Sequence, residues 1–198
     1  RIIVSTDSER YASLAKEYGA EVPFLRPTEI AGDYSTDYEF MKHVIDWLIE
    51  NENYYPDFVL NLRPVTPFRE PQLINKAIQI LIDSSEATSL RSAHEMSETA
   101  YKMCEIDGGY FKSICTESFD HDYTNKPRQA FPITYTPNGY VDVMRTSFIN
   151  ENKLLYGNRV KAFLTPVSFE VDTLDDFNLL EWLINKDNNI FKQIFEKK

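Results

Sequence analysis

The residues best suited to chemistry fall in two short stretches, DFVLNLRPVTPFRE at 57–70 and FEVDTLDD at 169–176. In the first, an apolar run at 58–60 leads into Arg63, Thr66 and Arg69, and two prolines keep the chain extended. Pro64 biases Arg63, and Pro67 biases Thr66, away from the helical region. Two guanidiniums and a hydroxyl on a stiff turn suit a carboxylate, a phosphate or a sugar acid. The plain alternative is a loop whose arginines face solvent. In the second stretch Glu170 and Asp172 lie two apart on an extended segment, so both side chains project to one face. Such a pair of hard oxygen ligands suits Mg²⁺, which takes one or two carboxylates and completes its shell with water and substrate phosphates. The alternative is a solvated strand end. Asp175 and Asp176 serve the positive end of the helix that follows.

The other cations point the same way. Arg26, Lys102 and Arg128, with Gln129 beside it, sit at expected strand ends or in loops, which is consistent with an acidic substrate. His43 falls on an expected helix and His121 in a polar loop, without a Ser or Cys nucleophile motif beside either, so no hydrolytic triad is read. His94 is a candidate pocket residue at a strand end. Cys104 and Cys115 have no metal-ligand partners at the usual spacing, and both are expected as buried, reduced thiols of a cytosolic protein.

The elements that must position these residues follow from periodicity. Residues 2–22 read as strand, helix and short strand, with Ser5, Thr6 or Asp7 capping the helix and Gly19 ending it. Ser35 or Thr36 caps a second helix whose core stripe is Phe40, Met41, Val44, Ile45, Trp47 and Leu48. The apolar run at 58–60 reads as a buried central strand, and Pro71 opens a third helix. Three strand-then-helix units within 90 residues predict a parallel sheet wrapped by helices, with ligands beyond the carboxyl ends of the strands. Later come a strand ending at His94, a hairpin around Asp107-Gly108-Gly109, an irregular polar loop at 116–130, a turn at 135–139, strands at 140–144 and 160–164, and a Thr-capped helix. The last dozen residues read as a short amphipathic helix through Ile190, Phe191, Ile194 and Phe195.

Composition narrows the field. With 198 residues, 13 Phe and 12 Tyr the chain has ample material for one large core. A net charge of −10 argues against nucleic acid or an anionic membrane as the main partner. No apolar run approaches the ~20 residues of a membrane span, and the start, RIIVSTDSER, is not a signal peptide.

In order along the chain, IIVSTDSE, AKEYGAEVPFLRP with IAGDYSTD, LNLRPVTPFR, ATSLRSA, NKPRQAFPITYTPNGYVDVM, LYGNRVKAFLT and FEVDTLDDFNLLEWLI resemble the acylneuraminate cytidylyltransferases, or CMP-sialic acid synthetases. That family includes bacterial relatives acting on legionaminic or pseudaminic acid, and the resemblance covers nearly the whole chain. It implies a Rossmann-like α/β nucleotidyltransferase fold in one domain over 1–198. The sheet would be mostly parallel, with helices on both faces and a small insertion near 95–145 used for homodimerisation and sugar binding. It also implies the reaction: the anomeric hydroxyl of a nine-carbon 2-keto sugar acid attacks the α-phosphate of CTP, Mg²⁺ assists and pyrophosphate leaves.

By position in the family pattern, Glu170 and Asp172 hold the metal, with Glu170 where Asp is usual. Arg26 and Asp33 match nucleotide-side residues. Arg63, Thr66, Lys102, Arg128 and Gln129 match the face that receives the sugar acid, with Arg63 where Gln is frequent, and Asp172 and Arg128 are the expected catalytic residues. Asp142 stands where sialic acid enzymes tend to carry Tyr, and GYVD is closer to the legionaminic-type branch. Rival readings are a non-catalytic paralogue that binds a sugar acid or nucleotide, and another sugar nucleotidyltransferase of this topology, such as a Kdo-type enzyme. The family also opens with a strand and a basic, Gly-containing loop around the CTP triphosphate, for which 1–198 hold no counterpart. That segment is therefore expected upstream of Arg1, or the chain is a paralogue without it; residues 1–198 alone are not expected to make a competent synthetase.

Overall fold

A computed structural model describes residues 1–186; the expected helix through Ile190 to Phe195 lies outside the described residues. In chain order the elements are α1 (Glu9–Glu17), α2 (Asp37–Glu52), β1 (Phe58–Asn61), α3 (Pro71–Asp83), β2 (Ser89–Glu95), β3 (Cys104–Asp107), β4 (Tyr110–Ser113), α4 (His121–Thr124), β5 (Tyr135–Arg145), α5 (Thr146–Asn152), β6 (Val160–Leu164) and α6 (Leu174–Lys186). One sheet has the strand order β1-β5-β2-β6, and β3 pairs with β4 in a second. Neighbours in the first sheet are never consecutive in sequence, so each pairing needs a crossover, as an α/β fold requires. The chain forms two compact units: Arg1–Asn61, Ile80–Leu90 and Val143–Lys161 in the first, and Leu62–Gln79, Arg91–Asp142 and the chain from Ala162 on in the second.

In the first unit α2 behaves as its pattern predicts. Thr36 and Glu39 form a reciprocal capping box, and Met41, Ile45 and Leu48 are buried at helical spacing. Met41 and Ile45 pack with Met144, Ile149 and Leu155 into one apolar cluster, against which Val59 of β1 also lies. α1 is capped by Ser8, whose Oγ accepts from the Tyr11 amide at 3.4 Å, rather than by Ser5, Thr6 or Asp7. Thr6 Oγ1 instead accepts from the Ser8 amide at 3.2 Å and shapes the turn before the helix. The expected strands at either end of 2–22 reduce to one parallel bridge, Ile3 to Glu21. The apolar run at 58–60 is indeed a strand, but it stands at one end of the order instead of in the centre, and Phe58, Val59 and Leu60 are only half-buried. An apolar strand pattern reports a need for cover on its faces; it does not count neighbours.

In the second unit the hairpin forms where the sequence places it. Gly108 and Gly109, at φ +57° and +87°, supply the two left-handed positions of a tight turn between antiparallel β3 and β4. The expected loop at 116–130 contains α4 and a 3₁₀ turn at Arg128–Ala130, and Phe131 is buried against the rings of Tyr101 and Tyr123. The turn expected at 135–139 is instead a kink inside a longer β5. There Gly139 takes φ +60° and the strand continues through buried Tyr140 and Val141. Asp142, 2% exposed, faces Arg91 at 3.5 Å. Cys104 is half-buried and Cys115 exposed, so the expected burial of both thiols does not hold; the surrounding hairpin is too thin to cover Cys115.

Candidate functional site

Within the second unit the proline-braced turn and the acidic segment come together at Gly139. A Cβ added there would lie 3.2 Å from Glu170 Oε1, 3.5 Å from Thr66 Oγ1 and 3.6 Å from Arg63 Cδ, so three side chains meet at the position glycine leaves without a side chain. The Val171 amide donates to the Val65 carbonyl at 2.8 Å, which fastens the acidic segment along the turn. Thr66 is fully buried, and its hydroxyl has no hydrogen-bond partner among the described residues. A buried, unpaired hydroxyl costs about 1–3 kcal/mol, a cost that an incoming polar group removes.

Arg69 does not share this role. The sequence gives both arginines of the turn the same outward disposition, but the Arg69 guanidinium folds inward. Nε donates to the Tyr140 carbonyl at 2.6 Å, Nη2 to those of Arg63 at 2.7 Å and Gly139 at 3.0 Å, and Nη1 to that of Thr66. Tyr140 Oη accepts from the Glu70 amide at 2.5 Å. Burial pulls the Arg69 guanidinium below its ordinary pKa and pushes the Tyr140 phenol above its own. Arg69 is thus the internal brace that holds Arg63 and Thr66 in place.

The acidic pair is held from its other side by the cap of α6. Asp176 accepts from the Thr173 hydroxyl at 2.7 Å, the Thr173 amide at 2.8 Å and the Asp172 amide at 3.2 Å. The Thr173 side-chain and backbone donors hold the Asp176 carboxyl below the usual carboxylate range. A depressed folded-state pKa contributes stability above the unfolded value and loses it as pH falls through the folded one. Amides at the start of α6 are therefore expected to lose protection, relative to their intrinsic exchange rates, as pH drops below about 4, and Asp176→Asn removes that dependence, as hydrogen exchange checks.

Whether the pair fits a divalent cation can be judged from its surroundings. Among the described residues no group of three or more His, Cys, Asp or Glu side chains is arranged around one point. Mg²⁺ does not require one: two exposed carboxylates, Glu170 and Asp172, match its preference for few protein ligands.

A second cluster in the same unit surrounds a cavity of about 330 Å³ lined by Glu95, Met96, Thr99, Arg128, Gln129 and 131–134. Arg128 Nη2 donates to Glu95 Oε1 and to the Met96 carbonyl, at 2.6 and 2.9 Å. Lys102 ends a 3₁₀ turn, and its amide donates to the carbonyl of cavity-lining Thr99 at 3.0 Å. Arg26 and Asp33 lie in the first unit. The Arg26 guanidinium donates to Ser5 Oγ at 3.1 Å and to the Ser5 carbonyl and sits over the Phe40 ring, while Asp33 is exposed in a turn. Asn138 and Gly139, expected only as part of a turn, and His94, expected as a candidate pocket residue, matter here together, and the link between Asn138 and His94 has no local signal.

The chain is similar to known proteins over most of its length. The Cytidylyltransferase family matches residues 1–163. An N-acylneuraminate cytidylyltransferase from Escherichia coli is 28% identical over 100% of this chain, which spans 47% of that protein. A CMP-N,N'-diacetyllegionaminic acid synthase from Legionella pneumophila is 29% identical over 92% of this chain and 77% of its own length. The post-translational flagellin modification protein B of Campylobacter coli is 27% identical over 94% of this chain and 78% of its own. The chain thus spans about half of the first of these relatives and three quarters of the others. A solved CMP:2-keto-3-deoxy-manno-octonic acid synthetase, complexed with CTP, superimposes with a TM-score of 0.63 at 14% identity, covering 94% of this chain and 81% of its own, which establishes the nucleotidyltransferase fold. On the match over residues 1–163 the chain belongs to the cytidylyltransferase family.

Proposed function

We propose that the protein transfers CMP from CTP to a nonulosonic, sialic-type sugar acid with release of pyrophosphate. The observation that carries this reading is the convergence of Arg63, the orphaned Thr66 hydroxyl and Glu170 at Gly139. A neutral hydroxyl and a carboxylate around one point, with the Arg63 side chain passing it at Cδ, suit a substrate that carries both a carboxylate and hydroxyls. Arg63, Thr66, Lys102, Arg128 and Gln129 receive the sugar acid, and Arg128, already bonded to a carboxylate at Glu95, exchanges or shares that contact with the substrate's own. Arg26 and Asp33 are assigned to the nucleotide. Glu170 and Asp172 hold Mg²⁺, which when bound neutralises charge on the phosphates. Asp172 is kept in register for this by the α6 cap, and Arg128 orients the sugar so that its anomeric hydroxyl meets the α-phosphate.

The test is pyrophosphate release by the protein in its full encoded length, with CTP and a panel of nonulosonic acids and Kdo. Release with a nonulosonic acid is expected; release with Kdo alone, or with none, overturns the reading. Arg128→Ala is expected to raise KM for the sugar acid about tenfold and leave KM for CTP unchanged, as initial rates will show.

Assembly as a homodimer and a cytoplasmic location belong to the same proposal. In the region near 95–145 the hairpin exposes Ile106 at 72%, Tyr110 at 74% and Phe111 at 61%, apolar area suited to a second copy. Light scattering at micromolar concentration is expected to give twice the chain mass; a monomer contradicts it. No helix among the described residues is long and apolar enough to cross a membrane.

A further inference from the structure

Asn138 links the two clusters of the site. It precedes Gly139, where Arg63, Thr66 and Glu170 converge, and its Nδ2 lies 3.2 Å from Nδ1 of His94, the residue before Glu95, which holds Arg128. The same Nδ2 donates to Thr165 Oγ1 at 2.7 Å, and the Asn138 carbonyl accepts from Ser168 Oγ at 3.0 Å, two residues before Glu170.

The direction of each bond in this network is set from one end. The Tyr140 amide can only donate, so the side-chain atom of Asn138 that faces it at 3.3 Å is the carbonyl oxygen. Nδ2 must then face Thr165 and His94 and donate to both. Thr165 gives its own hydroxyl proton to the Pro166 carbonyl at 3.0 Å, which leaves its oxygen free to accept. His94 Nδ1 is therefore a bare lone pair, and the ring is neutral with its proton on Nε2. A second proton, on Nδ1, would set two N–H groups against each other. Relief requires the amide to turn over, which breaks the bonds to Tyr140 and Thr165.

We propose that Asn138 and His94 are positioning residues of the site. The neutral His94 ring, held through its Nδ1 lone pair, ties the Gly139 kink to β2 and keeps the Glu170 and Arg128 clusters in one register. The activity arm of this inference rests on the CMP-transfer reading; the tautomer arm does not.

Long-range ¹H–¹⁵N spectra of the full chain with ¹⁵N-labelled histidine test this directly, since only His43, His94 and His121 contribute and His94→Asn identifies the signal. At neutral pH the expected His94 pattern is an unprotonated Nδ1 and a protonated Nε2. Asn138→Asp replaces the donor by a carboxylate and is expected to move the ring proton to Nδ1, reversing the tautomer pattern. His94→Asn, which keeps an acceptor in place of Nδ1, is expected to retain more kcat/KM than His94→Leu, which removes it. An Nδ1–H tautomer in the unmodified chain, or an unchanged pattern in Asn138→Asp, overturns the proposal, and the spectrum of the unmodified chain decides even if that variant does not fold. Absence of pyrophosphate release from the unmodified protein, with the expected spectrum, counts against the CMP-transfer reading alone.

Discussion

Arg69→Met is expected to lower the stability of the protein by about 3–4 kcal/mol, read from the urea midpoint at unchanged slope. The side chain has nearly the same reach but no donors, and four main-chain carbonyls, those of Arg63, Thr66, Gly139 and Tyr140, lose the guanidinium that satisfies them. Each such bond to a charged donor contributes about 1 kcal/mol or more net, and the carbonyls that remain covered are desolvated without return. Arg69→Lys separates charge from geometry. An ammonium reaches one or two of the four acceptors but lacks the planar fork, so it is expected to recover less than half of the loss. A loss below about 1 kcal/mol in Arg69→Met would show that the turn holds its shape through its two prolines alone.

Gly139→Ala is expected to cost the reaction about a hundredfold in kcat/KM for the sugar acid while lowering stability by only about 1–2 kcal/mol. The stability cost is that of placing a Cβ at φ +60°. The larger effect comes from the contacts the Cβ meets: Glu170 Oε1 at 3.2 Å, Thr66 Oγ1 at 3.5 Å and Arg63 Cδ at 3.6 Å. The Glu170 carboxylate is the far end of a flexible side chain and moves aside at little cost to folding. It is also a proposed metal ligand, so a small displacement is felt in the chemistry. Steady-state kinetics alongside thermal melting distinguish this from simple unfolding. A variant that loses activity only in proportion to its folded fraction would place the reacting groups elsewhere.

Much of the local structure was determined by neighbours within a few residues, and there the sequence is a sufficient guide. The Thr36–Glu39 box, the buried stripe of α2, the Gly108-Gly109 hairpin and the Thr173–Asp176 cap each involve partners at most nine positions apart, so their residue types and spacing already contain the interaction. The ordered blocks likewise carried the family, because the match draws on the order of many short segments along residues 1–163.

Tertiary structure decided what depends on distant partners. Arg63 and Arg69 are the same residue type on the same turn, and only the carbonyls of residues 139 and 140, some 70 positions on, determine that Arg69 is brace while Arg63 passes Gly139. Thr66 is buried and unpaired because the kink of β5 and the segment at 170 close over it, and neither is visible from 57–70. Asn138 reads locally as a turn residue, yet its amide is oriented by a backbone donor at 140 and in turn fixes the proton on a histidine 44 positions earlier. Hydrogen-bond direction passes along such a chain one partner at a time. It follows from the sequence only once folding has chosen the partners.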